Sequence, residues 1–72
     1  MINRLEKIGL NIRRYRTLAE LSQIELAVAV GIDRSYLSEI ENGKRNPSIN
    51  ILYAIADALQ IDIAELFAPY KI

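Results

Sequence analysis

Residues 21–47 read LSQIELAVAVGIDRSYLSEIENGKRNP, and two helix starts separated by a short joint decide how this stretch folds. Leu21-Ser22-Gln23-Ile24-Glu25-Leu26 holds a complete capping box. Ser22 can accept from the backbone N–H three residues on, Glu25 can reach back, and Leu21 and Leu26 close around them as a hydrophobic staple. Ile32-Asp33 with Leu37 repeats the staple and the N-cap, with Tyr36 in the place of the returning glutamate, so a further helix starts at Asp33. Between the two, Gly31 follows Val30 and suits a helix end that needs a positive φ. The joint, residues 30–32, is too short for a long helical hairpin. Neighbouring helices must then cross at a steep angle, which is the helix-turn-helix arrangement.

Outward from this stretch the pattern stays helical. Upstream, Leu5, Ile8, Ile12, Tyr15 and Ala19 recur at spacings of three and four, which predicts a helix over about 3–18 with these residues facing the core. Arg4, Lys7, Asn11 and Arg14 fall on a second, polar and basic face. Gly9 interrupts the helix at about 1 kcal/mol relative to alanine and marks close packing against a neighbour. Downstream, Gly43 ends the helix begun at Asp33, residues 44–47 form a polar loop, and Ser48 caps a fourth helix with Ile49, Leu52, Ile55, Ala56 and Leu59 on its core face. Ile61-Asp62-Ile63-Ala64-Glu65-Leu66 reads as a second full capping box, predicting a short fifth helix over about 63–68 that Pro69 stops. No repeat, low-complexity tract or linker divides the chain, so the expected fold is all-α, one five-helix body over residues 1–72.

Composition narrows the function. A 72-residue chain buries only about 60% of its unfolded surface, and a core of that size rarely supplies more than about 3 to 5 kcal/mol. Without cysteine or histidine there is neither a disulfide staple nor a histidine metal ligand, so a partner subunit is the remaining stabiliser. The usual acid–base and nucleophile sets are missing too, and the glycines build no phosphate-cradling loop. The chain is therefore not expected to be an enzyme, nor to carry a cofactor or metal. No stretch reaches the roughly 18 apolar residues of a membrane span, and charges at Arg4, Glu6 and Lys7 break any leader core, so a cytoplasmic protein is expected.

Nine basic and nine acidic residues cancel, but unevenly. Residues 1–16 carry Arg4, Lys7, Arg13, Arg14 and Arg16 against Glu6, whereas residues 47–72 carry Asp57, Asp62 and Glu65 against Lys71. Such a field can steer one face toward a polyanion and leave the other for a second subunit; ordinary surface charge explains it equally well. On the third helix Leu37 and Ile40 must face inward, which directs Arg34, Ser35, Ser38, and with them Tyr36 and Glu39, outward. Arginine can bridge guanine O6 and N7, serine can serve any base edge, and a tyrosine ring can meet a thymine methyl. A merely solvated polar face is the plainer reading of these residues taken alone.

Taken whole, the run from Leu21 to Pro47 resembles the XRE-like helix-turn-helix family, the Cro-type and phage-repressor-type DNA-binding domains. The matching features are Leu21-Ser22-Gln23, Glu25-Leu26-Ala27, Gly31, Ser38-Glu39-Ile40-Glu41-Asn42-Gly43, Pro47-Ser48 and the closing IADALQIDIAELF at 55–67. The resemblance covers roughly residues 8–67. It implies that Gln23 touches phosphate at the start of the second helix, that Arg34, Ser35, Ser38 and Glu39 read bases with Tyr36 serving base or backbone, and that Asn42, Lys44, Arg45 and Asn46 hold phosphates. It also implies a structural ion pair between Arg16 and Glu41, with a phosphate contact as the alternative for Arg16. Arg13 and Arg14 are either phosphate contacts or solvated charges.

Two features depart from the family. Ile24 and Val28 are apolar where relatives usually carry polar residues, so they either extend the core, the plainer expectation, or make an exposed patch. Glu39 on the reading face would repel phosphate, although it can accept from cytosine N4. The last segment is richly apolar, so Ile61, Ile63, Phe67, Tyr70 and Ile72 are expected to contribute to a two-fold interface. The function these features imply is a stand-alone homodimeric regulator, of the restriction-modification controller or small phage-repressor kind, on a palindromic operator in double-stranded DNA. RNA polymerase would be a further partner of an activator. The alternative is a helical protein-interaction module on the same fold, an antitoxin or a polymerase-binding adaptor.

Overall fold

The computed structural model describes residues 2–69, which form five helices and no strand. They are α1 (Arg4–Leu18), α2 (Gln23–Val30), α3 (Arg34–Glu41), α4 (Ile49–Leu59) and α5 (Ala64–Phe67). Helix α1 packs against α3 and α5, and α2 packs against α3 and α4. Helix α3 thereby rests on both α1 and α2, and α1 also meets α4. The core they enclose is Ile12, Leu26, Ala27, Leu37, Ile40, Leu52, Ile55, Ala56, Leu59 and Leu66.

Local chemistry explains most helix ends. In α2 the Ser22 hydroxyl accepts from the Glu25 N–H at 3.0 Å and the Glu25 carboxylate accepts from the Ser22 N–H at 2.8 Å. That reciprocal pair holds the Glu25 carboxyl below its ordinary value, chiefly through the backbone N–H of Ser22. Gly31 ends α2 at φ +83°, its N–H bonded to the Ala27 carbonyl at 2.8 Å, so the α2–α3 joint turns in the left-handed region that glycine enters without steric cost.

The second full capping box is at the start of α1, where Asn3 and Glu6 exchange the same two bonds. Asp62 and Glu65 do not make the box expected of them. Asp62 accepts from the Ala64 N–H only two residues on, and Glu65 turns away to accept from the Tyr15 hydroxyl. A tertiary partner on α1 outcompetes the local cap. The phenol of Tyr15 is in turn pushed above its ordinary value, first by that hydrogen bond.

The structure also corrects parts of the expected core. Asn11, placed by spacing on the basic face, is 2% exposed and donates to the carbonyls of Leu66 and Ala68 at 3.0 and 2.8 Å. It satisfies carbonyls at the end of α5, which a four-residue helix leaves without partners of its own. Ala19 and Ile49 are exposed. Ile24 and Val28 do not extend the core: they are 59% and 76% exposed, on the side of α2 away from Leu26 and Ala27.

Candidate nucleic-acid interface

The mounting of α3 begins with Gly9. A side chain there would fall within 2.5 Å of the Glu41 carbonyl oxygen and nearer still to that of Ile40. The missing Cβ lets the backbone of α1 lie directly on the last turn of α3. Leu37 and Ile40 are buried on the same side.

Glu41 continues this face and is 2% exposed. Its carboxylate is surrounded by donors from two other helices: Arg16 Nε at 2.7 Å and Nη2 at 3.1 Å from α1, and Gln23 Nε2 at 3.0 Å from α2. Arg13 Nε stands 3.6 Å from the same carboxylate. The third arm of Arg16, Nη1, donates to the Leu21 carbonyl at 2.8 Å. A buried carboxylate is costly unless paired and hydrogen-bonded, and here both conditions are met. The cluster ties α1, the start of α2 and the end of α3 into one rigid corner. Gln23 and Arg13 are thus held by Glu41 at the edge of that corner.

The opposite side of α3 is open. Arg34 and Ser35 are exposed at its first turn, and Ser38 and Glu39 are half-buried one turn on. Asp33 occupies the N-cap position without a side-chain hydrogen bond to the helix. Beyond the helix, the exposed Asn42, Lys44, Arg45 and Asn46 prolong this surface. Backbone bonds hold the loop to the helix: Gly43 N–H to the Ile40 carbonyl at 3.1 Å and Lys44 N–H to that of Glu39 at 2.9 Å. Arg45 folds back, donating from Nε to Glu39 at 3.0 Å with its guanidinium 5.4 Å from the centre of the Tyr36 ring. Arg34, Ser35 and Ser38 thus lie on the open side of a helix whose following loop carries the exposed Lys44 and Arg45.

Arg14 is not part of that face's support. Its guanidinium lies 5.8 Å from the ring of Tyr15, whose hydroxyl donates to Glu65 of α5. Adjacent residues Arg13 and Arg14 thus serve different sides of α1. Of the apolar residues expected at a two-fold interface, Ile61 and Ile63 are half-buried against the core and Phe67 is exposed, while Tyr70 and Ile72 lie outside the described residues. Sequence reasoning missed the Gln23–Glu41 bond and the Glu39–Arg45 pair. Neither spacing, 18 nor 6 residues, corresponds to neighbours on one helix.

Among the described residues there is no group of histidine, cysteine and carboxylate side chains able to hold a metal, and no helix long and apolar enough to cross a membrane. A helix-turn-helix family model matches residues 12–66. Control protein C.MunI from Mycoplasma sp is 42% identical over 69 residues, covering 96% of this chain and 85% of that protein. The HTH-type transcriptional regulator y4dJ of Sinorhizobium fredii, itself uncharacterised, is 39% identical over 62 residues, 86% of this chain and 80% of its own. Among solved structures, the restriction-modification controller protein C.AhdI from Aeromonas hydrophila superposes with a TM-score of 0.85 at 44% identity, covering 88% of this chain and 96% of that one. These relatives are named as regulators and control proteins, not as enzymes.

Proposed function

We propose, on the premise that this chain belongs to the XRE-type helix-turn-helix family of transcriptional regulators, that it binds duplex DNA sequence-specifically as a homodimer, with α3 in the major groove. The observation that carries this reading is the two-sidedness of α3. One side is locked through Gly9 and Glu41, and the other presents Arg34, Ser35 and Ser38 next to a loop bearing Lys44 and Arg45. A reading helix needs both, since base-edge hydrogen bonds demand a fixed position and phosphate contacts set the register. Arg34 is the residue suited to a guanine, with Ser35 and Ser38 at neighbouring bases and Tyr36 at base or backbone. Asn42, Lys44, Asn46, Arg13 and Gln23 stand where phosphates would pass.

The exposed Phe67, with the half-buried Ile61 and Ile63, supplies the apolar residues for a two-fold contact. A symmetric pair would set two α3 helices about 34 Å apart, one turn of B-DNA. A cytoplasmic regulator of this kind responds to its own concentration through dimerisation coupled to operator binding.

The exposure of Ile24 and Val28 favours a second reading, in which the α2 face meets another protein and DNA binding has been lost. Selection from a random duplex pool at moderate salt, followed by sequencing, separates the two. Enrichment of a palindrome with half-sites one helical turn apart is expected. No enrichment at any salt would leave the protein-interaction module as the function.

A further inference from the structure

The most unusual contact on the open face is the one that joins two of its own charges. Arg45 follows Glu39 by six residues, yet the backbone bonds of the loop bring it back over the helix it has just left. Its guanidinium is held on two sides, by the Glu39 carboxylate at 3.0 Å and by the Tyr36 ring at 5.4 Å. The bond to Glu39 uses Nε, and the terminal nitrogen pair makes no other hydrogen bond among the described residues. The side chains are 55% and 46% exposed, so the pair is a weak tether and an exchangeable one.

Weak as it is, the pair changes what the loop offers a polyanion. A free cation that meets a phosphate releases condensed counterions and adds about −0.9 to the slope of log K against log salt. The terminal nitrogens of Arg45 can still reach a phosphate, but while Nε stays on Glu39 the pair is neutral as a unit, and a carboxylate left beside a polyanion gathers cations of its own. The net release is then close to nothing. A base edge changes the balance, because cytosine N4 is a donor that can replace the guanidinium at Glu39.

We infer that Glu39 is an internal counter-anion for Arg45, a specificity-determining residue that withholds the loop cation from random DNA and releases it where a cytosine amino group takes its place. This rests on the duplex-binding reading above. It assigns to Glu39 a role that a plain base contact lacks: part of the discrimination comes from weaker binding to wrong sequences, which is one of the two ways a site is told from its competitors. The Tyr36 ring gives the guanidinium its second contact meanwhile.

The test is a double-mutant cycle on the full chain, with Glu39→Gln, Arg45→Ala and both together, titrated onto a random-sequence duplex and onto the selected site over a range of salt. Circular dichroism checks that each variant stays helical. In the parent chain Glu39→Gln should raise affinity for the random duplex by roughly 2- to 5-fold, the worth of an exposed ion pair. The salt slope should steepen by about 0.9, and the ratio of selected to random affinity should narrow. In the Arg45→Ala background most of the gain should vanish. An equal gain with and without Arg45, or an unchanged salt slope, would overturn the inference while leaving DNA binding intact. Failure of the unmutated chain to bind duplex at any salt would remove the DNA-binding reading and this inference with it.

Discussion

Replacing Gly9 by alanine tests how α3 is mounted. Inside an exposed stretch of helix this change would stabilise by about 1 kcal/mol, because glycine has more backbone entropy to lose. Here the added Cβ would stand 2.5 Å from the Glu41 carbonyl oxygen and 2.7 Å from its carbon, where ordinary contact starts at 3.4 Å. Both are main-chain atoms in the last turn of α3, so no side chain can swing aside. The helices must part by most of an ångström. A gap of that size forfeits a quarter to a half of the dispersion energy of each atom pair it opens, and Ile12 and Ile40 lie along the same seam. It would also lengthen the 2.7 and 3.1 Å bonds from Arg16 to Glu41. An overpacking cost of about 3 kcal/mol, less the 1 kcal/mol of helix propensity, leaves a net loss of about 2 kcal/mol. For a chain of this size that is a fall in Tm of about 8 to 16 °C, read by circular dichroism at fixed protein concentration. An unchanged or raised Tm for Gly9→Ala would refute the close seating of α1 on α3.

Arg16→Ala should cost about 3 to 5 kcal/mol by leaving the buried Glu41 short of its best partner, as much as a core of this size supplies, so the cooperative thermal transition should be lost; a normal transition with weakened DNA binding would instead make Arg16 a phosphate contact. Arg34→Ala is expected to cost about 1 to 3 kcal/mol on the selected site and to relax the preference at one base pair, and an equal loss on every sequence would demote Arg34 to a backbone contact. Because Glu25 titrates below its ordinary 4.5 in the folded chain, its contribution to stability is present above 4.5 and lost as pH falls through the lowered folded value. Urea midpoints of Glu25→Gln should therefore vary less with pH across that window than those of the parent, and identical profiles would show that the capping box is not formed in solution. Val28→Lys should alter stability by less than about 0.5 kcal/mol, since the side chain is 76% exposed, whereas a loss above 2 kcal/mol would return Val28 to the core.

Several elements follow from short stretches of chain. The start of α2 is legible because Ser22 and Glu25 satisfy each other's backbone within three residues, whatever the rest of the molecule does. The tight α2–α3 joint is legible because a glycine at a helix end needs no tertiary support to turn at positive φ. From these, and from the 3.6-residue spacing of Leu37 and Ile40, come the helix-turn-helix and the outward side of α3. Where glycine does not mark the turn the signal fails: Glu20 and Gln60 take φ of +60° and +57° with nothing in their identity to announce it.

Tertiary structure alone decided which polar groups are buried and whom they meet. Helical spacing assigns Asn11 to a face but cannot say that α5 will lie across it with unsatisfied carbonyls. The Asp62-Ile63-Ala64-Glu65 pattern is a valid cap in isolation, and it loses its glutamate because α1 brings Tyr15 within reach. Ile24 and Val28 are apolar by sequence and exposed by geometry, since α3 and α4 cover the other side of α2. The Arg16–Glu41 pair is legible through the family resemblance, whereas Gln23 joins it from a third helix, and Arg45 returns to Glu39, only once the helices and the loop after α3 have packed. Bonds between neighbours in sequence form under any packing, whereas bonds across helices exist only once the packing has chosen which faces meet, and the support of α3 is made almost entirely of the second kind.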